Sequence, residues 1–295
     1  MINGQKMRDG VLRANLILKQ VAVESVPLEI LQLHALILGD KPNVAEIVKV
    51  ISHNPEVMAT FLSLVNKVLN RPEDNLVYNV TSAVHLLGLD EIHQLFVSAY
   101  VIKIIPVTEA DTKIVRRSLR VGIAVAELSH WVYGFSRSES FLISFVQDIG
   151  ALYLKRYDPN YIEQYFDEQR RFPLTKFIDE EKHYKTSHCF IGGILAKRWN
   201  LGSLLYRSVL FHHHADLLEL EQHDARLGKM VALIRVGHFL EYELYSEQHV
   251  TKELEDYYEQ GCEYLKLTPQ MIHAAESALK RWGDADVLPD SSYKF

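Results

Sequence analysis

Cysteine is scarce in this chain of 295 residues: Cys189 and Cys262 are its only two, and they do not form the CxxC spacing of a zinc site. A small fold held by disulfides is therefore excluded, and reduced thiols are expected, as in the cytoplasm. Neither cysteine is an obvious nucleophile. With 48% hydrophobic and 24% charged residues, the chain can bury a large core without cross-links.

Long apolar runs are also absent, and no stretch approaches the ~20 apolar residues that span a membrane. The first residues, MINGQKMRDGVLRANLILKQ, lack the apolar core and cleavage site of a signal peptide. We therefore expect a soluble cytoplasmic protein without a membrane partner. The 32 basic residues against 38 acidic ones give a net charge of −6, which argues against a nucleic-acid partner.

The motifs of common enzymes are missing as well: HExxH, a Walker loop, GxSxG and GxGxxG do not occur. Helical periodicity and helix caps are present instead, and no alternating strand pattern persists. The sequence therefore predicts an all-α protein of roughly a dozen short helices. Helix starts are predicted at Asn43, Asn54–Pro55, Asp90, Asp158–Pro159 and Thr268–Pro269, and helix ends at Gly88, Pro106 and Gly283.

Pro106 and Thr108 mark the best internal boundary. We predict two packed helical lobes, an N-terminal one over residues 1–107 and a C-terminal one over 108–295, since the join is not rich in Gly or Ser. The region after residue 216 predicts further helices without a defined role. Fifteen tyrosines and twelve phenylalanines indicate mainly core packing and leave a homodimer open.

Asp148 is the first candidate for chemistry, because it is the one carboxylate in the apolar run SFVQDIGALYL. At about 100° per residue on a helix, it shares a narrow stripe with Phe141, Phe145 and Leu152. A carboxylate on such a face is buried. It must be protonated, paired with a cation or bound to a metal.

Histidines supply the other candidates. His188 follows Ser187, a predicted N-cap, and lies one turn before Gly192, which permits a close backbone approach. Three histidines stand together at residues 212–214, where a helix is predicted to end, and at most two of them can face one site. A single histidine in such a helix is more often structural. Metal and phosphate sites in helical bundles are, however, built in this way, from polar residues on several apolar helices.

The order of these motifs resembles the HDOD domain, an output module of the HD superfamily. The similar segments are VPLEILQLHALI, NPEVMATFLSLVNKVLN, TSAVHLLGLDEI, FVQDIGALYL, HCFIGGILAKRWNL and VLFHHHA, over about residues 20–215. The resemblance implies an all-α fold with an HD-like helical bundle in the C-terminal lobe. It also implies a bacterial regulatory protein with partner proteins in a signalling pathway.

Catalytic relatives in the HD superfamily bind metal through an early His, an adjacent His-Asp pair, further His residues and a late Asp, and they hydrolyse phosphate esters. Here Arg117 takes the place of the early His, Gln147 that of the paired His, and Gly237 that of the late Asp. The resemblance therefore implies an incomplete ligand set and a vestigial site. That site comprises Arg117, Gln147, Asp148, His188, His212 and His213.

Arg117 shares a helical stripe with Ile114 and Val121, so it should point towards the same interior as Asp148. One hypothesis is an Arg117–Asp148 ion pair in the place where active relatives hold metal. In the alternative, Arg117 extends to water and Asp148 is capped by backbone or by His188. Either account leaves no metal cofactor.

Three functions remain open from the sequence. We favour a non-catalytic signalling module that binds partner proteins. The second is a residual phosphohydrolase with one Mn, Fe or Zn ion on Asp148, His188 and either His212 or His213. The third is a pocket for a nucleotide or small anion, with Arg117 and the histidines as donors.

Overall fold

The structure, a computed structural model, describes residues 4–104 and 108–284. All regular elements of these residues are helical, which confirms the predicted all-α class. None of their helices is long and apolar enough to cross a membrane. The α-helices are α1 (Gly4–Leu18), α2 (Leu28–Leu38), α3 (Val44–Ile51), α4 (Pro55–Val68), α5 (Val80–Leu86), α6 (Leu89–Ile104), α7 (Glu109–Ser129), α8 (Arg137–Val146), α9 (Ile149–Tyr157), α10 (Asp167–Gln169), α11 (Thr175–Tyr184), α12 (His188–Arg198), α13 (Ser203–Phe211), α14 (Leu217–His223), α15 (Ala225–Tyr245), α16 (Lys252–Leu265) and α17 (Pro269–Trp282). A 3₁₀ turn spans Glu73–Asn75, and a π-helical turn spans Ile162–Phe166.

Most predicted helix starts are confirmed. The Asn43 side chain accepts a hydrogen bond from the Ala45 N–H, and α3 begins at the next residue. The Asn54 side chain caps α4, which begins at Pro55. Proline has no N–H to leave unpaired in the first turn, so an Asn–Pro start such as that of α4 can be recognised from the sequence. The segment around Pro106 lies outside the described residues.

Two predicted starts are wrong. Helix α6 begins at Leu89, so Asp90 lies in its first turn, and the Glu91 carboxylate accepts from the Gly88 N–H at 3.2 Å. Asp158 follows the end of α9 and accepts from the Asn160 N–H, which makes it a turn residue. At α6 a residue other than the predicted cap accepts from the backbone, whereas at Asp158 the predicted side chain accepts but closes a turn before the helix.

Helices α7 and α15 form the centre of the C-terminal part. Helix α7 packs against α8, α15 and α17, and it also contacts α4. Helix α15 is buried around most of its circumference, as expected for a helix that is apolar on every side. A Cβ on Gly237 would lie 2.6 Å from Val125 Cγ2, so this glycine allows α15 to approach α7 closely.

The predicted division between residues 107 and 108 adjoins residues 105–107, which lie outside the described residues, so it stays a prediction. One apolar core runs from Ala14 in α1 to Leu279 in α17. Helix α1 packs against α9 and α12. At that contact the Thr186 hydroxyl donates to the Gly10 carbonyl at 2.9 Å.

A buried carboxylate, Asp111, stabilises the start of α7. It accepts from the Thr108 N–H at 3.0 Å and from the Lys155 ammonium at 2.8 Å. Burial alone would raise the pKa of Asp111, but Lys155 and Thr108 outweigh it and lower the pKa below its ordinary value. A lowered folded-state pKa contributes stability above the unfolded-state pKa, and that stability is lost as pH falls through the folded-state pKa.

We expect Asp111→Asn to lower the free energy of unfolding at pH 7 by about 2 kcal/mol, because charged hydrogen bonds are lost. The variant should also lose less stability than the parent below about pH 4, where the parent's Asp111 takes up its proton. Urea denaturation at pH 7, 5 and 3 measures both effects. The control is Asp74→Asn at an exposed carboxylate, which should change neither. Equal acid sensitivity of the parent and Asp111→Asn would contradict the expectation.

Candidate functional site

Asp148 lies between two helices and is 1% exposed. Helix α8 ends at Val146 and α9 begins at Ile149, so the predicted position in the middle of a helix is wrong. The chain turns here and brings Gly150 against the backbone of α12. The prediction that this carboxylate is buried is correct.

His188 is the first residue of α12. Ser187 precedes it as predicted, but the serine side chain makes no capping hydrogen bond. The Glu180 carboxylate of α11 accepts from the His188 N–H at 2.6 Å instead. A carboxylate at a helix N-terminus is favourable because the first N–H groups carry partial positive charge. Gly192 allows the expected close approach, since a Cβ there would lie 2.8 Å from Val209 Cγ1.

His212 and His213 follow the end of α13, as the sequence predicts. Both are buried and face Asp148 and His188. His214 points elsewhere, with its Nε2 3.2 Å from Glu219 Oε2. Two of the three consecutive histidines therefore reach the site.

Asp148, His188, His212 and His213 form what we call the His–Asp cluster. Each offers one possible ligand atom, and these atoms all lie within 4.8 Å of one another. Asp148 Oδ1 is 3.3 Å from His212 Nε2 and 3.6 Å from His188 Nε2. The two Nε2 atoms are 3.2 Å apart. Four side chains from three parts of the chain thus converge on one buried point.

The other nitrogens of two rings are fixed by hydrogen bonds. His188 Nδ1 lies 3.0 Å from both Glu180 oxygens, and His212 Nδ1 lies 2.8 Å from the Val209 carbonyl. Both acceptors place the proton on Nδ1 when the ring is neutral, so the Nε2 lone pair points into the cluster. Outer hydrogen bonds of this kind orient histidines that bind metal.

The charge states in the cluster follow from burial and neighbours. Burial would raise the pKa of Asp148, but a hydrogen bond with His212 and the charge of Arg117 hold it well below the ordinary value. Burial would lower the pKa of His212, yet Cys189 and Asp148 raise it to about 9. Burial and the charge of His212 lower the pKa of His213. These neighbours therefore favour an ionised Asp148 and a protonated His212.

The hypothesis of an Arg117–Asp148 ion pair is wrong. Among the described residues, the ion partners of Asp148 are His188 and His212. The Arg117 guanidinium lies instead over the Phe166 ring, 4.7 Å from its centroid. Arg117 is 8% exposed, so the alternative in which it extends to water is wrong as well. The expected position of Asp148 beside His188 is correct.

The predicted late residue, Gly237, is also wrong. Gly237 faces α7, and the next residue, His238, faces the cluster. The Gln147 side-chain amide, at Nε2, contacts His238 Nε2. Burial and the charge of Arg117 lower the pKa of His238 to about 3, so this ring is neutral. A shift of one residue turns a helix face by about 100°, which explains the error.

Glu180, His238 and Cys189 were missed by the sequence analysis. Glu180 shares a stripe with Phe177 and Tyr184 on α11, and this spacing could have shown that it is buried. His238 lies on a helix buried on every side, where periodicity carries no signal. Cys189 Sγ lies 3.5 Å from His188 Nε2 and was noticed only for its lack of pairing.

The residues of the cluster fit one divalent ion. Three imidazoles and one carboxylate suit zinc, and imidazole also suits iron. Asp148 Oδ2 and His213 Nδ1 are buried and have no hydrogen-bond partner among the described residues, so both can still accept. At the two positions where the resemblance implies histidine ligands in catalytic relatives, Arg117 and Gln147 offer a guanidinium and an amide instead of imidazoles, which disfavours a second ion.

Solved structures share this fold. An HDOD domain protein of unknown function from Geobacter sulfurreducens has a TM-score of 0.70 and 17% identity, covering 96% of this chain and 99% of its own. A candidate metal-dependent phosphohydrolase from Shewanella amazonensis has a TM-score of 0.63 and 19% identity, with coverage of 93% and 99%. A candidate signal transduction protein from Marinobacter aquaeolei has a TM-score of 0.56 and 13% identity, with coverage of 95% and 68%. At these identities the similarity shows the fold alone.

Comparison with curated proteins gave no match. The family model of the HDOD domain matches residues 23–215. This segment contains Arg117 and the His–Asp cluster and ends before α14. The match covers more than half of the chain, and the chain therefore belongs to the HDOD domain family.

Proposed function

We propose that this chain is a regulatory HDOD module of a signal-transduction pathway, which acts by binding and does not hydrolyse phosphate esters. The candidate signal transduction protein with the same fold supports the regulatory part of this proposal. Arg117 supports the other part, the absence of phosphate-ester hydrolysis. Its partners in the pathway would be proteins, as the family resemblance implies.

Arg117 places a permanent positive charge in the same buried interior as the His–Asp cluster. Its charge lowers the pKa of Asp148. Burial lowers the pKa of Arg117 itself, and the charge of Asp148 offsets part of that effect. A buried cation repels a second cation, and a guanidinium has no lone pair with which to bind one. Metal-assisted hydrolysis needs a firmly held ion with open positions for water and phosphate. Arg117 therefore supports binding rather than catalysis.

A single ion on the His–Asp cluster would have four protein ligands. Closed sets of four are typical of structural zinc sites, whereas catalytic sites keep one position open. One observation favours the second candidate, a residual phosphohydrolase. His213 lines a cavity of about 390 Å³ together with Phe177 and Ser187, so one ligand of the cluster is reachable from outside.

Elemental analysis together with a hydrolysis assay distinguishes the binding module from the residual phosphohydrolase. The protein would be purified without chelator, incubated with Mn, Fe or Zn, and assayed on bis(p-nitrophenyl) phosphate. We expect no more than one ion per chain and no turnover, and any bound ion should be lost in Asp148→Ala. Asp74→Ala, at an exposed carboxylate, is the matched control. Two ions per chain, or metal-dependent turnover abolished by Asp148→Ala, would overturn the proposed function.

A further inference from the structure

A second cavity, of about 700 Å³, lies beside Arg117 and away from His213. Residues of α7, of the segment 159–170 and of the end of α15 line it. We call it the arginine cavity, because Arg117, Arg120 and Arg170 meet there. We propose that the arginine cavity binds the phosphate group of a small organic phosphate.

Each guanidinium in this cavity is held by an aromatic ring. The distances from Cζ to the ring centroid are 4.7 Å for Arg117 and Phe166, 3.5 Å for Arg120 and Tyr245, and 5.3 Å for Arg170 and Tyr242. A cation over a ring is fixed through its face, which leaves its N–H groups at the edge. Those of Arg120 already donate to Gly283 and Asp284, so Arg117 and Arg170 supply the open donors. Such edges match the paired oxygens of a phosphate.

Two of these arginines have donors without acceptors. Arg117 is 8% exposed and its NH1 has no hydrogen-bond partner among the described residues. The Nε of Arg170 is likewise buried and unpaired within that part of the chain. A buried donor left unsatisfied costs about 1–3 kcal/mol, more when it is charged. Both atoms are closed to solvent in this conformation, so a bound anion would satisfy them after the two guanidiniums turn towards the cavity.

One buried guanidinium at the cavity, that of Arg117, forms no ion pair with another described residue. Glu241 is the buried carboxylate that lines the cavity, 3.6 Å from Arg120 NH1 and 3.0 Å from Arg170 NH2. Asp148 attracts Arg117 only through space. Arg120 is also paired with Asp284, so Arg117 is the buried guanidinium whose charge a bound phosphate would balance. The other acidic residues on the lining are less buried: Glu163, Asp167, Glu168 and Glu247.

The size of the cavity sets the class of ligand. Its volume of about 700 Å³ is in the range of pockets that enclose small molecules and would hold a mononucleotide. The inference deepens the proposed function. It rests on that function for one expectation, that the bound ester is not hydrolysed. The charge and the open donors of the cavity do not depend on that expectation.

Isothermal titration calorimetry on the full chain tests the site with three probes: AMP, inorganic phosphate and adenosine. We expect AMP and phosphate to bind and adenosine not to bind. Arg117→Gln and Arg170→Gln should each weaken AMP binding at least about tenfold, because each removes a charged donor. Arg8→Gln removes the same charge from an exposed position on α1 that does not line the cavity and should weaken binding less than about threefold.

Thermal denaturation shows whether each variant is folded, and the less buried Arg170 provides the second variant if Arg117→Gln is not. AMP binding undetectable at about 1 mM, or equal in the parent and the folded variants, would overturn the inference. Equal binding of adenosine and AMP would overturn it too. AMP that is bound through these arginines and then hydrolysed would support the site and contradict the proposed function instead.

Discussion

Gly150→Ala should lower the free energy of unfolding by about 4 kcal/mol or more, a loss at the extreme end for single substitutions. The Cβ of alanine would lie 1.9 Å from the His188 carbonyl oxygen and 2.7 Å from the Gly192 N. Both are backbone atoms of α12 and cannot rotate away. Helices α9 and α12 would have to separate, which would also move His188 away from Asp148.

Equilibrium denaturation in urea or guanidinium measures this loss. Gly39→Ala is the matched control, because its Cβ would meet backbone atoms no closer than 3.5 Å, an ordinary contact. Gly192→Ala should have an intermediate effect, since its Cβ would meet the Val209 side chain, which can shift. A Gly150→Ala protein within about 1 kcal/mol of the parent would show that α9 and α12 separate easily.

The helical class could be predicted from the sequence because its signals are local. Asn43 and Asn54 cap the helices that follow them, and Pro55 stands where a helix tolerates proline. Asp90 has the same chemistry but lies one residue inside α6. Local patterns therefore indicate that a helix exists more securely than where it begins.

The site was predictable in part for a similar reason. Asp148 and His188 interrupt apolar stretches, and the order of the motifs places them together. The position of Arg117 relative to Asp148 was not predictable, because a long side chain can reach several partners from one helix face. Glu180 belongs to a separate helix, and its contact with His188 depends on how α11 and α12 pack. Tertiary contacts of this kind leave little trace in periodicity.

The two halves of the interior have opposite electrostatic character. Around the His–Asp cluster, carboxylates of Asp148 and Glu180 face imidazoles that can bind a proton or a metal. At the arginine cavity three guanidiniums lie together, and the buried one, Arg117, forms no ion pair with another described residue. Asp148 and Arg117 act on each other's pKa across the boundary. Binding of an anion at the cavity would therefore change the field at the cluster, which suits a module that responds to a ligand.

Glu180→Ala should lower the free energy of unfolding by about 3–5 kcal/mol, as expected when one partner of a buried charged network is removed. The Glu180 carboxylate is fully buried and accepts from the backbone N–H of His188, from His188 Nδ1, from the Tyr161 hydroxyl and from the Gln169 amide. Alanine would leave all of these donors buried without an acceptor. Glu180→Gln keeps the volume but brings an NH₂ group towards donors, so its cost should be smaller yet above about 1 kcal/mol.

Denaturant unfolding of both variants measures these losses, and Glu181→Gln on the same helix is the control. Glu181 pairs with Lys6, whose side chain is 64% exposed, and such surface pairs contribute up to about 1 kcal/mol. Glu180→Gln should also free the His188 ring, which hydrogen-exchange or NMR of its Nδ1 proton would detect. If Glu180→Ala costs no more than Glu181→Gln, the carboxylate neither stabilises α12 nor fixes His188, and the orientation of the His–Asp cluster must have another cause.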